Sequence, residues 1–448
     1  RYAFLNNSGG THPFHIRNSA GGSGNSNDYA SGITRNGANS GYITFNVPWD
    51  APATLVYQCD SHPSMLGNIY IRGGSGGETN VGVITATAFI SDTPLSHRNK
   101  LYNGAMTITQ RGSSFTSVGA SANTFTLDRW KFYIQNSTAR FTVSQDSESP
   151  DGFGGSMKID CTTTDTSLAS TDEVYLEQRL EGQDLQHFAK GTSSAKQYTL
   201  SFYVKTNKTG TYIVNLLSRD NTTGTVSASY TVSNTNWNRY VVTFPADTNS
   251  NRKDNNDNGE ALRVLWWFVA GSAVNSGTLN TSWGNSSDTG RATGQLNFAD
   301  STSNIFYLTG CQLEVGSVAT PFEHLSFGEQ LARCQRYFYR VSTTASGTGS
   351  YKHIGTMQYY AASNPYGKML DLPVSMRTIP TGSFTGEIRT WNAAGSTIGN
   401  LTTINFDRND NLFLASNGST NAGNGGGAGN ATPITLMPSA SMSADAEL

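Results

Sequence analysis

The chain has 448 residues, with 30 basic and 32 acidic side chains and a net charge of −2, which leaves no basic excess for binding nucleic acid by charge. Only 14% of residues are charged, against about 25% in an average globular chain. Gly, Ser, Thr and Asn fill the difference; they form helices poorly and point to an all-β protein of several domains. The longest apolar run, Ala261–Gly271, is too short to insert in a membrane, contains Arg263, and reads as a buried strand. Four Cys in this length make no disulfide framework.

In chain order, residues 1–73 alternate strands with Gly/Asn turns, and a Gly-rich linker, opening on Gly73–Gly77, covers 74–98. Residues 99–340 carry strand candidates at Gln197–Lys205, Gly210–Leu217, Trp237–Phe244, Leu262–Val269 and Ile305–Val315. A two-residue period is clear in TLSFYVK and RYVVTF, and the spacing of the strands suits one large sandwich or jelly roll. One short helix is predicted near 326–338, where Ser326 and Glu329 form a capping box and Leu331, Cys334, Gln335 and Phe338 share a face. Residues 341–448 form a small β-rich C-terminal domain, with a hairpin around Asn392–Gly395 and a Gly/Asn loop, Asn417–Asn430, expected as an exposed tip.

The chemically informative run is Cys59-Asp-Ser-His62-Pro-Ser-Met65-Leu-Gly67. A thiolate, an imidazole and a thioether on one loop are the donors a blue-copper site needs, together with a second imidazole from another strand. The run THPFHIR offers His12 and His15. Side chains alternate along a strand. His12, Phe14 and Ile16 share an apolar face, whereas His15 shares the other face with Pro13 and Arg17, which is expected to meet solvent. The candidate ligands are therefore His12, Cys59, His62 and Met65. Ile43, Phe45 and Val47 line one face of a strand, and Leu55, Tyr57 and Cys59 one face of the next.

On these residues the first 73 positions resemble the cupredoxin family. The C-x2-H-x2-M-x-G spacing is similar to the copper loop of amicyanins, and His12-Pro13 resembles the first His of the HPxH segment of multicopper oxidases. The resemblance implies a Greek-key sandwich in which His12, Cys59 and His62 are equatorial copper ligands and Met65 the weak axial one. It covers less than a whole cupredoxin, so the first strands are expected upstream of Arg1.

Other signals are weaker. Asp254–Glu260 (DNNDNGE) gathers oxygen ligands around Gly259 but lacks the spacing and final Glu of a calcium loop, so it reads as a polar turn and calcium is not expected. Trp130, Trp237, Trp266 and Trp267 read as core residues, at least one of the adjacent pair being buried. Trp283, flanked by turn residues, is the candidate for stacking on a sugar ring. Cys161, Cys311 and Cys334 read as buried free thiols. The adjacent acids Asp172 and Glu173 would point to opposite faces of a strand and cannot form a glycosidase pair with each other. With no nucleophile elbow, phosphate loop or HExxH, no enzyme activity is expected.

The runs LYNGAMTITQRGSSFT, LDRW, YTLSFYVKTNKTGTY, NRYVVTFPAD and FYLTGCQLEVGSVATPFEHLSFGEQLARCQRYF resemble a jelly-roll module of the carbohydrate-binding type. That module recurs in tail fibres and other structural proteins of bacteriophages, marine ones especially. Cys311 departs from it, standing where an aliphatic residue is usual. The cupredoxin segment, LPVSMRTIPT and the ending SADAEL are similar to parts of the same phage proteins. The resemblance implies a virion protein, a fibre or appendage of tail or capsid on the particle surface, that attaches to a bacterial surface glycan or receptor beside other virion proteins. A homotrimer is expected, since it multiplies weak sites and covers strand edges. Two rival readings are an extracellular copper electron-transfer protein with a carbohydrate-binding module, and an accessory region of a polysaccharide-degrading enzyme.

Overall fold

The computed structural model describes all residues except 49, 72–95, 121–122, 286–287, 344–350, 362–363, 392–396, 402–403, 405, 407–410 and 416–430. Most of the Gly-rich linker and all of the Asn417–Asn430 loop therefore lie outside the described residues. The fold is all-β, as the composition implies, with many antiparallel sheets. The chain divides into two compact units, Arg1–Ile90 and Ser91–Leu448.

Among its described residues, unit 1 holds six short strands: β1 (Tyr2–Asn6), β2 (Phe14–Arg17), β3 (Ile33–Thr34), β4 (Gly41–Phe45), β5 (Thr54–Cys59) and β6 (Leu66–Tyr70). They form two three-stranded sheets, β1-β4-β3 and β2-β5-β6. Ile16, Phe45 and Leu55 form the buried core, with Phe4, Phe14, Tyr29, Ile33, Val47 and Ile69 packed on it. Ile43 and Phe45 are both buried, as their shared strand face predicts.

Unit 2 opens with a sandwich. Its strands are β7 (Ser114–Val118), β8 (Asn123–Phe125), β9 (Lys131–Gln135), β10 (Arg140–Asp146), β11 (Ser156–Thr163), β12 (Glu173–Glu181), β13 (Tyr198–Thr206), β14 (Gly210–Ser218), β15 (Gly224–Val232), β16 (Asn238–Phe244), β17 (Glu260–Ala270), β18 (Gly284–Asn285) and β19 (Ile305–Val315). One sheet runs β16-β13-β19-β11-β10-β7 and the other β18-β15-β14-β17-β12-β9-β8. Phe141, Ile159, Phe202 and Phe306 of the first meet Phe132, Leu176, Trp266 and Phe268 of the second in one core. Burying a side chain of this size stabilises by about 1.5–3 kcal/mol. Alternation splits the tryptophan pair. Trp266 points into that core, edge-on to Phe202 at 5.6 Å, while Trp267 joins Tyr175, Ile213 and Leu265 on the other face of β17. Trp130 is buried and Trp237 half-buried.

The predicted helix is present at Phe327–Gln335, with the Ser326 hydroxyl accepting from Glu329 N–H at 3.3 Å. The Glu329 carboxylate does not reach back; it meets His97 Nε2 at 3.3 Å. The buried face is Gln330 and Cys334, and Leu331 is only half-buried. Phe338 is not helical, because the chain turns at Arg336 and starts the strand Phe338–Ser342.

That strand spans the boundary expected after residue 340 and pairs with Ser441–Asp445, which also pairs with Thr381–Thr385. A second sheet runs in the order Thr397–Asn400, Ile388–Trp391, Ala431–Leu436, Lys352–Ala361, Asn364–Asp371, Asn411–Ala415. Ile388–Trp391 and Thr397–Asn400 are the arms of the predicted hairpin, whose turn lies outside the described residues. The C-terminal tail returns to the sandwich: Glu447 pairs with Arg129 and Arg111, and the Leu448 carbonyl accepts from Arg179 Nη1 at 3.0 Å. Residues beyond 340 thus belong to the same compact unit as the sandwich.

Candidate metal centre

β2 and β5 pair antiparallel, with Phe14 opposite Cys59 and Ile16 opposite Tyr57. The pairing continues one step further, as Asp60 N–H donates to the Pro13 carbonyl at 3.1 Å. Beyond it the chain closes on itself: Cys59 N–H donates to the Met65 carbonyl and Met65 N–H to the His62 carbonyl, both at 2.9 Å. This register brings residue 12 against the 59–65 loop.

The side chains converge there. His12 Nδ1 lies 3.5 Å from Cys59 Sγ, His62 Nδ1 lies 3.8 Å from the same sulfur, and the two Nδ1 atoms are 2.9 Å apart. Among the described residues, His12, Cys59 and His62 are the one group of three His, Cys, Asp or Glu side chains whose donor atoms meet in this way. An ion bonded at about 2.0–2.3 Å to nitrogen and sulfur sets its donors roughly 3–4 Å apart, and this triangle has that size. Two imidazoles and a thiolate suit copper by softness and geometry. Cys59 is buried, His12 half-buried and His62 exposed, so the cluster sits just beneath the surface.

Met65 is 52% exposed and lines, with His12 and Cys59, an open cleft of about 580 Å³. Phe4, Phe14 and Tyr57 wall the cleft in a stack with ring spacings of 5.5 and 5.8 Å. Tyr57, which the sequence sets on one strand face with Leu55 and Cys59, is 40% exposed and lines this open cleft. Its ring lies over Gly67, where a Cβ would come within 2.5 Å of the Tyr57 hydroxyl.

One sequence inference needs correcting. The face of β2 carrying His15 and Arg17 does not meet solvent; His15 is 3% and Arg17 0% exposed. The segment after β2 folds across it, with Asn18 N–H donating to the Asn27 carbonyl and the Arg17 guanidinium to the carbonyls of Gly21, Gly22 and Gly24. His15 Nδ1 instead meets the Asp28 carboxylate at 2.8 Å, away from the cluster. Sequence reasoning missed Arg17. Its hydrogen bond to Asp60 holds that carboxyl below its usual range. The sequence signal was a charged residue in a short strand whose other face is apolar.

In unit 2, Trp283 is half-buried against the core. Its indole N–H donates to the Pro245 carbonyl at 2.8 Å, and its ring lies 6.1 Å from Tyr198. The acids of Asp254–Glu260 turn to different partners. Asp254 takes the buried Lys190 ammonium, Asp257 accepts from Gly259 N–H, and Glu260 pairs with Arg263 and Arg179. Asp172 accepts from Ala169 N–H, and Glu173 lies 3.9 Å from Arg291. Cys161, Cys311 and Cys334 are free and buried; burial pushes the Cys161 thiol up to about 11 and the other two well above their usual value.

Burial also pushes the Asp254 carboxyl up to about 6, despite the opposing pull of Lys190. The folded chain then takes up a proton at Asp254 before the unfolded chain does. This group's contribution to stability therefore rises as pH falls from about 6 toward the ordinary 3.8. The unfolding free energy of wild type minus that of Asp254→Asn should increase between about pH 7 and pH 4. A difference that stays flat or falls over that range contradicts the assignment.

No family model matches the chain, and no curated protein matches it. Solved structures do. The enzymatically active domain of tailspike protein 4 from bacteriophage CBA120 aligns over 48% of this chain and 21% of its own, at 10% identity and a TM-score of 0.26. The family 11 carbohydrate-binding module of a cellulosomal cellulase from Clostridium thermocellum aligns over 46% of this chain and 95% of its own, at 11% identity and a TM-score of 0.24. A putative sugar-binding protein from Bacteroides thetaiotaomicron aligns over 49% and 100%, at 12% identity and a TM-score of 0.25. The chain thus spans about a fifth of the tailspike domain and nearly all of the other two. At this degree of likeness, what those proteins bind does not carry over to this chain.

Proposed function

We propose that this chain is a non-enzymatic structural protein of a bacteriophage particle, a fibre or appendage that attaches the virion to bacterial surface glycans, with a cupredoxin-like N-terminal unit that holds copper. The observation that supports the non-enzymatic part is how the sandwich engages its acids. Buried carboxylates there are tied to cations or backbone donors: Glu181 to Arg336, Asp247 to Arg252, Asp172 to Ala169 N–H. Acids so engaged are poorly placed for general acid–base work. The amide- and hydroxyl-rich surface suits sugars, which are recognised by hydrogen bonds and stacking. His12, Cys59 and His62 would hold the copper ion, with Met65 lining the same cleft, and the ion supplies one-electron redox chemistry when bound.

The test is binding of the full chain to immobilised bacterial lipopolysaccharides and capsular polysaccharides. Saturable binding that disappears when the glycans are oxidised with periodate is expected. Binding indifferent to periodate would contradict the reading. Deleting Asn417–Asn430, a polar run with no apolar residue larger than Ala, should weaken attachment to cells while leaving thermal unfolding nearly unchanged. Trp283→Ala should weaken glycan binding more modestly. If both variants attach normally, recognition lies elsewhere on the chain.

A second reading, an extracellular copper electron-transfer protein carrying a sugar-binding module, is favoured by the ligand cluster alone. Reversible one-electron reduction of the copper-loaded chain, with no retention on any glycan, would select it.

A further inference from the structure

We infer that Arg17 is the positioning residue that holds His12, Cys59 and His62 in place for a metal ion; the inference rests on the copper reading of that cluster. Arg17 is fully buried, and its guanidinium spreads over five acceptors. Nη1 donates to Gln58 Oε1 at 3.1 Å and to the carbonyls of Gly21 and Gly22 at 3.1 and 3.2 Å. Nη2 donates to Asp60 Oδ1 at 2.9 Å and to the Gly24 carbonyl at 2.7 Å. Gln58 and Asp60 are the two neighbours of Cys59, so one side chain clamps both flanks of the thiol-bearing residue.

Each flank leads on to a different imidazole. Gln58 Nε2 donates to the Pro63 carbonyl at 2.9 Å, one residue past His62. Asp60 N–H donates to the Pro13 carbonyl at 3.1 Å, one residue past His12. Gly21 N–H on Gln58 Oε1 and Gly24 N–H on Asp60 Oδ1 lock the same two side chains from the other side. All three ligand positions are thus connected to one planar fork.

A fully buried guanidinium is a poor choice for stability alone, because an apolar residue there would avoid its desolvation. Its five donors in fixed directions are what distinguish it from lysine, a point charge with three. The remaining contact, Nε at 3.5 Å from Asp28 Oδ1, leads to His15 and not to the 58–65 loop. Asp28 therefore provides a control inside the same network.

The experiment compares full-length wild type, Arg17→Lys, Gln58→Leu, Asp60→Asn and Asp28→Asn. Each is read by the visible thiolate band with Cu(II), by Cu(I) affinity in competition with a chromophoric chelator, and by thermal unfolding. Arg17→Lys, Gln58→Leu and Asp60→Asn should each lose roughly 10–100-fold in copper affinity and shift the band. Asp28→Asn should lower the melting temperature yet keep the wild-type band and affinity. Should Arg17→Lys fail to fold, the two single-arm variants decide. Affinity that falls in step with melting temperature in every variant, Asp28→Asn included, overturns the positioning role, as does a wild-type band and affinity in the three clamp variants. Absence of any thiolate band in wild type would instead defeat the copper reading on which the inference stands.

Discussion

Glu447→Ala should destabilise unit 2 by about 3–5 kcal/mol in equilibrium denaturation, a large effect for a residue next to the last in the chain. The Glu447 side chain is 3% exposed and pairs with Arg129, itself 1% exposed, and with Arg111. Arg129 also stacks on the Tyr337 ring at 3.4 Å and donates to the Arg179 carbonyl at 2.5 Å. Removing the carboxylate leaves a guanidinium in the interior without its counter-charge, which costs far more than a surface pair is worth. The double variant Arg129→Met, Glu447→Leu should recover much of the loss, since an apolar pair needs no desolvation. A Glu447→Ala chain within about 1 kcal/mol of wild type would place the ion pair among surface contacts and contradict this account.

Cys59→Ser should abolish the visible absorption of the copper-loaded chain altogether, since the band arises from the thiolate. His12→Ala should also abolish it, and His15→Ala should leave it in place. The asymmetry follows from geometry: His12 Nδ1 is 3.5 Å from the sulfur, whereas His15 Nδ1 is occupied by Asp28 at 2.8 Å. Loss of the band in His15→Ala with retention in His12→Ala would reverse the assignment.

The strands of the sandwich are legible in the sequence as apolar runs, alternating in TLSFYVK and RYVVTF and continuous in Ala261–Gly271; Ile305–Val315 matches residue for residue. The choice of His12 over His15 followed from the same alternation. The burial of His15 and Arg17 did not. Alternation tells which residues share a face, and it cannot tell whether a polar loop will fold over the second face. Here residues 18–28 do so through backbone carbonyls that any sequence possesses. The return of the C-terminal tail was equally hidden. Glu447 and Arg129 are 318 positions apart, and neither stands in a pattern that marks it as half of a pair. The helix was recognised from its cap, but its buried face was displaced from Leu331 to Gln330, because Gln330 Oε1 accepts from Asn103 N–H at the sandwich edge.

The most direct test of the metal centre is X-ray absorption at the copper edge on the full chain loaded with one equivalent of Cu(I). The account predicts a first shell of one sulfur and two imidazole nitrogens, with the sulfur lost in Cys59→Ser and one nitrogen lost in His12→Ala. A shell of nitrogen and oxygen only, unchanged in Cys59→Ser, would contradict it.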